Sequence, residues 1–294
     1  MDANVKHRGL LLLLTLWSLV HLTPQPAWCQ EEPPEEDPSL IHWAYASLYG
    51  TGIYWVGDDQ SVYVIRIRPG LTHRFPNESG REDLQWTLRI RFPLTVGLYN
   101  FSQGDLLGGI FPDRFRQVSL VPGLELKIPI TRIWTLAPFA HFGWGKETRG
   151  GGDSAWIYWA GIKSRLAFHM KRSCLYFLNG LMWFGFTPKE TPSQNMWAIL
   201  TGLEFQFPLS KRYGTGDDYL IKFHVLNTWY LEDLMFLIHR NQPPLEVGTE
   251  WDIGLAFGKP KKMKLGFLRV DRIGLAYRWG HHITGIRVFF NTVF

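Results

Sequence analysis

From residue 84 to residue 98 the chain reads LQWTLRIRFPLTVGL, and in this stretch every second side chain is apolar. The positions in between carry polar, charged or small residues, Arg89 and Arg91 among them, with Pro93 as the exception. A period of two indicates a β-strand with one apolar and one polar face. Strands of soluble proteins usually have about 5–6 residues. This one is long enough to cross a bilayer, which takes about 9–11 tilted residues.

The same alternation recurs along the chain and predicts an all-β fold, a transmembrane antiparallel up-and-down β-barrel of about 12 strands. The strands are expected near 47–56, 62–73, 84–100, 118–131, 134–145, 155–169, 173–187, 196–209, 218–231, 245–258, 263–280 and 283–294. Short periplasmic turns are predicted at 131–133, 170–173, 210–218 and 258–262. The outer loops are predicted at 101–117, 146–154, 188–195 and 232–244.

Composition excludes several other classes of protein. Hydrophobic residues make up 46% of the chain and charged residues 19%, which excludes intrinsic disorder. Beyond residue 20 there is no run of about 18 apolar residues, so a bundle of transmembrane helices is excluded. The net charge of +5 is spread along the chain, so no nucleic acid partner is expected. A soluble β-sandwich or a periplasmic barrel would also alternate, but strand length and aromatic residues at the strand ends favour the membrane barrel.

Prolines oppose this interpretation, because Pro93, Pro122 and Pro138 fall within predicted strands and each removes a hydrogen-bond donor. We expect bulges or strand ends at these positions. In an alternative arrangement Pro93 marks a periplasmic turn, so that 84–93 and 95–101 form a hairpin and 47–56 leaves the barrel. The number of strands is twelve in both arrangements.

The first 29 residues have the pattern of a secretory signal peptide. Basic residues at 6–8 precede an apolar run at 9–20, and Ala27 and Cys29 occupy the small-residue positions of a cleavage site before Gln30. Lipidation of Cys29 is a less favoured alternative, because bulky Trp28 precedes it. After cleavage Cys174 has no partner for an intramolecular disulfide.

The predicted domains are therefore a signal peptide at 1–29, an acidic, proline-rich linker with a possible short helix or plug at 30–46, and the barrel at 47–294. The stretch 39–48 is amphipathic and follows five acidic residues, Glu31, Glu32, Glu35, Glu36 and Asp37. We expect it to occupy or cap the mouth of the barrel, because the predicted lumen has a surplus of basic residues.

The last predicted strand resembles the C-terminal assembly signal of Gram-negative outer-membrane barrels. That resemblance is carried by the outward face of the strand, its terminal aromatic residue and the glycine before it: Gly285, Ile286, Val288, Phe290, Thr292 and Phe294. It implies export to the outer membrane, with lipid or lipopolysaccharide and the barrel assembly machinery as partners.

Further motifs at VPGLE (121–125), WTLAPF (134–139) and DRIGLAYR (271–278) make the chain similar to the solitary autotransporter-type barrel family. The resemblance covers about residues 50–294. It implies an integral outer-membrane barrel of the translocator-like class, without a passenger domain and without enzymatic activity.

The side-chain patterns of known barrel enzymes are missing from the sequence. A lipid-cleaving barrel would need His-x-Ser on one strand, and the nearest match is His282-Ile283-Thr284. The Asp-x-Asp and Asp-x-His pairs of an aspartyl-type protease do not occur in the sequence. His141, His169 and His224 fall on separate strands, and Glu246, Glu250 and Asp252 share one polar face. No catalytic, metal or cofactor site is predicted, and a lipid-modifying enzyme is the least favoured function.

Charged residues on the inward faces form the predicted functional set. The basic residues are Arg66, Arg68, Arg89, Arg91, Lys127, Lys163, Arg165, Lys222, Arg269, Arg272, Arg278 and Arg287. The acidic residues are Glu125, Glu204, Glu246, Glu250, Asp252 and Asp271. Two interpretations stay open: ion pairs that fill a narrow barrel, or an anion-leaning pore, since rings of Arg and Lys select anions.

Deletion of Phe294 is predicted to impair assembly far more than Val293→Ala. Phe294 belongs to the outward apolar face that contains Phe290, whereas Val293 is predicted to face the lumen. Heat-modifiable mobility on gels measures the folded fraction of each variant. Equal folding of the two variants would contradict the assignment of an assembly signal.

Overall fold

The computed structural model describes residues 46–57, 60–76, 84–99, 117–147, 154–189, 193–209, 219–236, 245–265 and 268–290. These residues form fifteen antiparallel strand segments: β1 Gly52–Val56, β2 Gln60–Ile67, β3 Gly70–Arg74, β4 Thr87–Arg91, β5 Leu94–Tyr99, β6 Gln117–Leu120, β7 Gly123–Pro129, β8 Trp134–Glu147, β9 Ser154–His169, β10 Cys174–Pro188, β11 Gln194–Pro208, β12 Leu220–Phe236, β13 Leu245–Leu265, β14 Leu268–Gly280 and β15 Ile283–Phe290. No helix among the described residues is long and apolar enough to cross a membrane.

Pairing between the segments closes the sheet on itself. From β8 to β15 each segment pairs with its neighbour in sequence, and β15 pairs with β1, which pairs with β2. Three pairs of segments, β2 with β3, β4 with β5 and β6 with β7, are each one strand with a break in the middle. The fifteen segments therefore make twelve strands of a closed antiparallel barrel, as the alternation predicts.

Prolines explain the three breaks. Pro69, Pro93 and Pro122 each lie between the two halves of a broken strand, on three strands that are neighbours in the barrel. The carbonyl of each proline still accepts a hydrogen bond from the adjacent strand, from the backbone N–H of Phe92, Val121 and Phe142 respectively, at 2.9–3.1 Å. Each proline therefore lies where a strand segment ends, so its missing N–H donor does not interrupt the pairing within a segment. Its carbonyl keeps a hydrogen bond to the adjacent strand.

The alternative arrangement with a turn at Pro93 is wrong. β1 lies in the barrel wall, with Tyr54 opposite Gly285 of β15 on one side and Val62 of β2 on the other. Residues on the two sides of Pro93 continue one strand, since β4 pairs with β3 and β7 while β5 pairs with β2 and β6. Pro138 differs from the other prolines because it lies inside β8, opposite Ile162 of β9.

The outside of the barrel is apolar and the inside is polar, the reverse of a soluble protein. Leu275, Phe142 and Leu255 are 57–60% exposed on the outer surface. Charged side chains such as Glu250, Asp252 and Arg272 are almost completely buried. This distribution excludes the soluble β-sandwich and fits a barrel wall that faces lipid.

The end of β13 and the lengths of two connections differ from the predictions. Strand β13 continues to Leu265 with a register shift between Gly258 and Met263, so 258–262 is an irregular part of a long strand instead of a turn. At the barrel end where β15 finishes, connections 130–133 and 170–173 are short, whereas 75–86 and 209–219 are longer.

Candidate functional site in the barrel lumen

Residues 46–50, which directly precede β1, lie inside the barrel. Ala46, Ser47 and Tyr49 are buried. The hydroxyl of Tyr49 donates a hydrogen bond to Oε1 of Glu250 at 2.9 Å. Nη1 of Arg66 lies 3.4 Å from the carbonyl oxygens of Leu48 and Tyr49. Residues 46–50, called the lumen segment below, are therefore attached to two separate parts of the wall, β13 and β2.

Apolar side chains surround the lumen segment. Ala46 and Tyr49 belong to one buried cluster with side chains from nine strand segments: Tyr54 and Val56 of β1, Val62 and Val64 of β2, Phe139 of β8, Trp159 of β9, Phe184 of β10, Ala198 of β11, Tyr230 of β12, Val247 of β13 and Ile283 of β15. The ring of Tyr49 packs against that of Tyr54, whose hydroxyl donates to the carbonyl of Gly50 at 3.0 Å. Because these side chains come from nine strand segments of the wall, the lumen segment lies among them and occupies part of the interior at this level. The part of the predicted plug at 39–45 lies outside the described residues.

One carboxylate organises the ion pairs on the β13 side of the lumen. Asp252 accepts two hydrogen bonds from Arg287, at 2.6 and 2.7 Å. It also contacts Nε of Arg278 at 3.3 Å and Nε2 of His224 at 2.7 Å. Adjacent Glu250 accepts from Nη1 of Arg278 at 3.1 Å. Arg278 therefore joins Asp252 to the acid that holds the lumen segment.

A second carboxylate, Glu125 of β7, lies among basic side chains. Its oxygens are 3.0 Å from Nη1 of Arg89, 3.5 Å from Nη2 of Arg91 and 3.3 Å from Nζ of Lys163. Glu125 is 3% exposed, so this shared pairing takes place largely out of contact with water. A buried carboxylate with three cations compensates only part of their charge.

A third cluster lies towards the end where β15 finishes. Arg272 donates to the carboxylate of Glu204, which also accepts from the amide of Gln206. Asp271 lies 3.6 Å from Nε of the same Arg272. The guanidinium of Arg165 stacks on the ring of Tyr176 at 3.7 Å.

The remaining predicted residues are placed as follows. Lys222 is buried, and Lys127 lines a small pocket of about 40 Å³ with Glu125 and Glu204. Arg68 lines a larger lumen cavity. Glu246 is exposed and does not join Glu250 and Asp252. The side chain of Arg269 lies outside what the structure describes, as do Thr292 and Phe294.

The position of Glu246 has a local cause. The pairing of β12 with β13 shifts register between Trp229 and Leu234. Val247 is consequently buried in the apolar cluster around the lumen segment, while Trp251 of the same strand is 43% exposed on the outside. Period-two alternation fails across such an irregularity, and the inward assignment of Glu246 fails with it.

The three histidines lie in different surroundings. His141 stacks on Trp159 and its Nδ1 lies 3.2 Å from the carbonyl of Val121. His224 contacts Asp252, and His169 is exposed at the end of β9. Among the described residues there is no group of three side chains suited to hold a metal ion. Thr284 lies in β15, and His282 is exposed in the turn before it.

Tyrosines of the lumen were missed by reasoning from the sequence. Tyr49 and Tyr54 contact each other and fix the lumen segment through Glu250 and Gly50. Only their nearness to the amphipathic stretch 39–48 could have indicated their position in the lumen. Alternation alone does not distinguish a tyrosine that faces the lumen from an aromatic residue on the outer surface.

Substitution Asp252→Asn is predicted to destabilise the barrel by about 3–5 kcal/mol, because it leaves Arg287 and Arg278 buried without their shared carboxylate. Glu246→Gln is the matched control, since Glu246 is exposed, and a change within about 0.5 kcal/mol is expected. Urea titration of the folded protein in detergent or lipid measures both. Equal stabilities of the two variants would contradict the central role of Asp252.

No family model and no curated protein matches the chain. Among solved structures it is similar to the translocator domain of the autotransporter NalP from Neisseria meningitidis, with a TM-score of 0.51, 11% identity and coverage of 81% of this chain and 82% of that chain. The beta domain of the Bordetella autotransporter BrkA has a TM-score of 0.49, 12% identity and coverage of 81% and 92%. The transport unit of the autotransporter AIDA-I from Escherichia coli has a TM-score of 0.49, 11% identity and coverage of 82% and 88%. At 11% identity the match to NalP shows a shared fold, so this chain has the barrel fold of a translocator domain.

Proposed function

We propose that this chain is an integral barrel of the Gram-negative outer membrane, of the translocator-like class, and that it has no enzymatic activity. The observation that carries the proposal is the lumen segment, a stretch of the chain's own backbone inside a closed barrel. The signal-peptide pattern at 1–29 supports export, and the outward apolar face of β15 supports recognition by the barrel assembly machinery. Lipid and lipopolysaccharide are the partners that the apolar outer surface fits.

The lumen suits the holding of a polypeptide. Arg66 reaches two backbone carbonyls and Tyr54 a third, groups that any sequence provides. Glu250 and the apolar cluster hold the side chain of Tyr49. The ion pairs around Asp252 and Glu125 occupy the remaining width with side chains of the wall itself. A closed barrel with a chain segment and ion pairs inside it holds one chain and leaves only a cavity of about 190 Å³ beside it.

If the barrel is translocator-like, the residues before the lumen segment are expected at the cell surface. An epitope inserted between Pro38 and Ser39 should be reached by antibody or protease on intact cells. The same epitope in the turn at 170–173 is the control for the periplasmic side, and it should be reached only after permeabilisation. Exposure of the first epitope only after permeabilisation would contradict the translocator-like function.

An anion-leaning channel is the second candidate function. It is favoured by the lumen cavity, which has a volume of about 190 Å³ and is lined by Arg66, Arg68, Arg91 and Arg287 beside the lumen segment. Removal of the lumen segment would enlarge this cavity, and the exposed arginines would then select anions.

A truncated chain that begins at Thr51 is predicted to conduct with anion preference in planar bilayers, whereas the chain that begins at Gln30 stays closed. The truncation removes the Tyr49–Glu250 hydrogen bond but keeps every residue of β1. High salt should weaken the anion preference of the truncated chain, because salt screens the charge of the arginines. Deletion of 31–38 alone is the control, and it should leave the barrel closed because the contacts of 46–50 remain. Identical currents for both chains, or a cation preference after truncation, would contradict this assignment.

A further inference from the structure

The lumen cavity of about 190 Å³ has basic walls on the side of the broken strands. Arg66, Arg68, Arg91 and Lys163 line it together with Glu125. We propose that this cavity binds a small oxyanion of the phosphate type, held by the guanidinium groups of Arg66, Arg68 and Arg91. The proposal is independent of translocation, since it depends on these side chains alone.

The acids that line the cavity are already engaged. Glu125 is shared by Arg89, Arg91 and Lys163. Asp252, the other carboxylate on the cavity wall, receives both hydrogen bonds of Arg287 as well as contacts from Arg278 and His224. Neither carboxylate therefore has capacity to neutralise Arg66 or Arg68.

Two of the arginines that line the cavity have donors without partners. Nε of Arg66 and Nε of Arg91 are buried and have no hydrogen-bond partner among the residues that the structure describes. The guanidinium of Arg66 reaches the two carbonyls of the lumen segment at 3.4 Å and lies over the ring of Trp159, 5.4 Å from its centroid. Within the same described part of the chain no carboxylate lies within ion-pair distance of Arg68. Arg68 is exposed and Arg66 and Arg91 are half-buried. Because the three like charges line one cavity, an anion placed there would be attracted by all three.

The proline breaks bring the three arginines together. Arg66 and Arg68 lie two residues apart, on the same face of one strand, immediately before Pro69. Arg91 lies on the neighbouring strand, opposite Gly70 and two residues before Pro93, which also lines the cavity. Three guanidinium groups thus converge from two adjacent strands at the level where both strands are interrupted.

Size and donor geometry select the class of ligand. The cavity of about 190 Å³ is much larger than the space of one water molecule, so it has room for a small oxyanion. Guanidinium groups present planar pairs of N–H donors that match phosphate and carboxylate oxygens. A small oxyanion such as inorganic phosphate meets both conditions.

The carboxylates of the acidic stretch 31–37 could bind the same guanidinium groups as a free oxyanion. The following test distinguishes a free anion from these carboxylates. The full mature chain, folded in detergent, is treated with phenylglyoxal, which modifies accessible arginines, in phosphate and in chloride at equal ionic strength. Mass spectrometry then gives the modification rate at each arginine. We expect phosphate to protect Arg68 and Arg91 at least fivefold and to leave Arg74, an exposed arginine of β3 that does not line the cavity, unchanged.

Three outcomes would overturn the proposal. Equal modification rates in phosphate and chloride would show that no oxyanion binds. If phosphate protects Arg74 as strongly as Arg68 and Arg91, the effect is a general one of the salt and not binding in the cavity. Protection that appears only after Glu31, Glu32, Glu35 and Glu36 are changed to Gln and Asp37 to Asn would show that the chain's own carboxylates occupy the cavity.

A pair of variants adds an affinity measurement. Arg68→Gln should weaken phosphate binding, measured by calorimetry, about tenfold to a hundredfold, because one charge-assisted contact is lost. Arg74→Gln should bind phosphate as the unchanged protein does. Equal affinities of the two variants would overturn the assignment. If Arg68→Gln does not fold, the protection experiment on the unchanged chain decides alone.

Discussion

The structure depends on the closure of its sheet. A bilayer offers no water to hydrogen-bond an unpaired strand, so each backbone N–H and C=O in the wall needs a partner in a neighbouring strand. The short strand β1 makes this closure, because it joins β15 to β2 across five residues on each side. The three aligned prolines are compatible with it because their carbonyls keep pairing with the next strand.

Closure also fixes the two faces of each strand. Outward positions meet lipid and are apolar, whereas inward positions meet other side chains and carry the charges. A charge inside so narrow a space has little water around it, and it therefore requires a partner. Asp252 and Glu125 satisfy this requirement on opposite sides of the lumen, and the hydrogen bond from Tyr49 to Glu250 attaches the lumen segment to one of these networks.

The sequence predicted most of the wall. The twelve strands follow from alternation, which is long and regular in segments such as β9 and β11, and the apolar side of β15 was assigned correctly at Ile286 and Phe290, both exposed. Errors arose where alternation is interrupted. Glu246 was assigned to the lumen although a register shift between β12 and β13 brings Val247 inward, and 258–262 was assigned as a turn although β13 continues through it.

The sequence by itself determined that the chain forms a twelve-stranded barrel with charges inside, because the direction of a side chain in a strand depends only on its position along that strand. The tertiary structure decided which charges meet. Arg272 pairs with Glu204 and Arg287 with Asp252, partners 68 and 35 residues apart, and Tyr49 reaches Glu250 across 201 residues. These contacts cross the lumen or run between strands, so they depend on register and on the curvature of the closed wall, which no local pattern in the sequence contains.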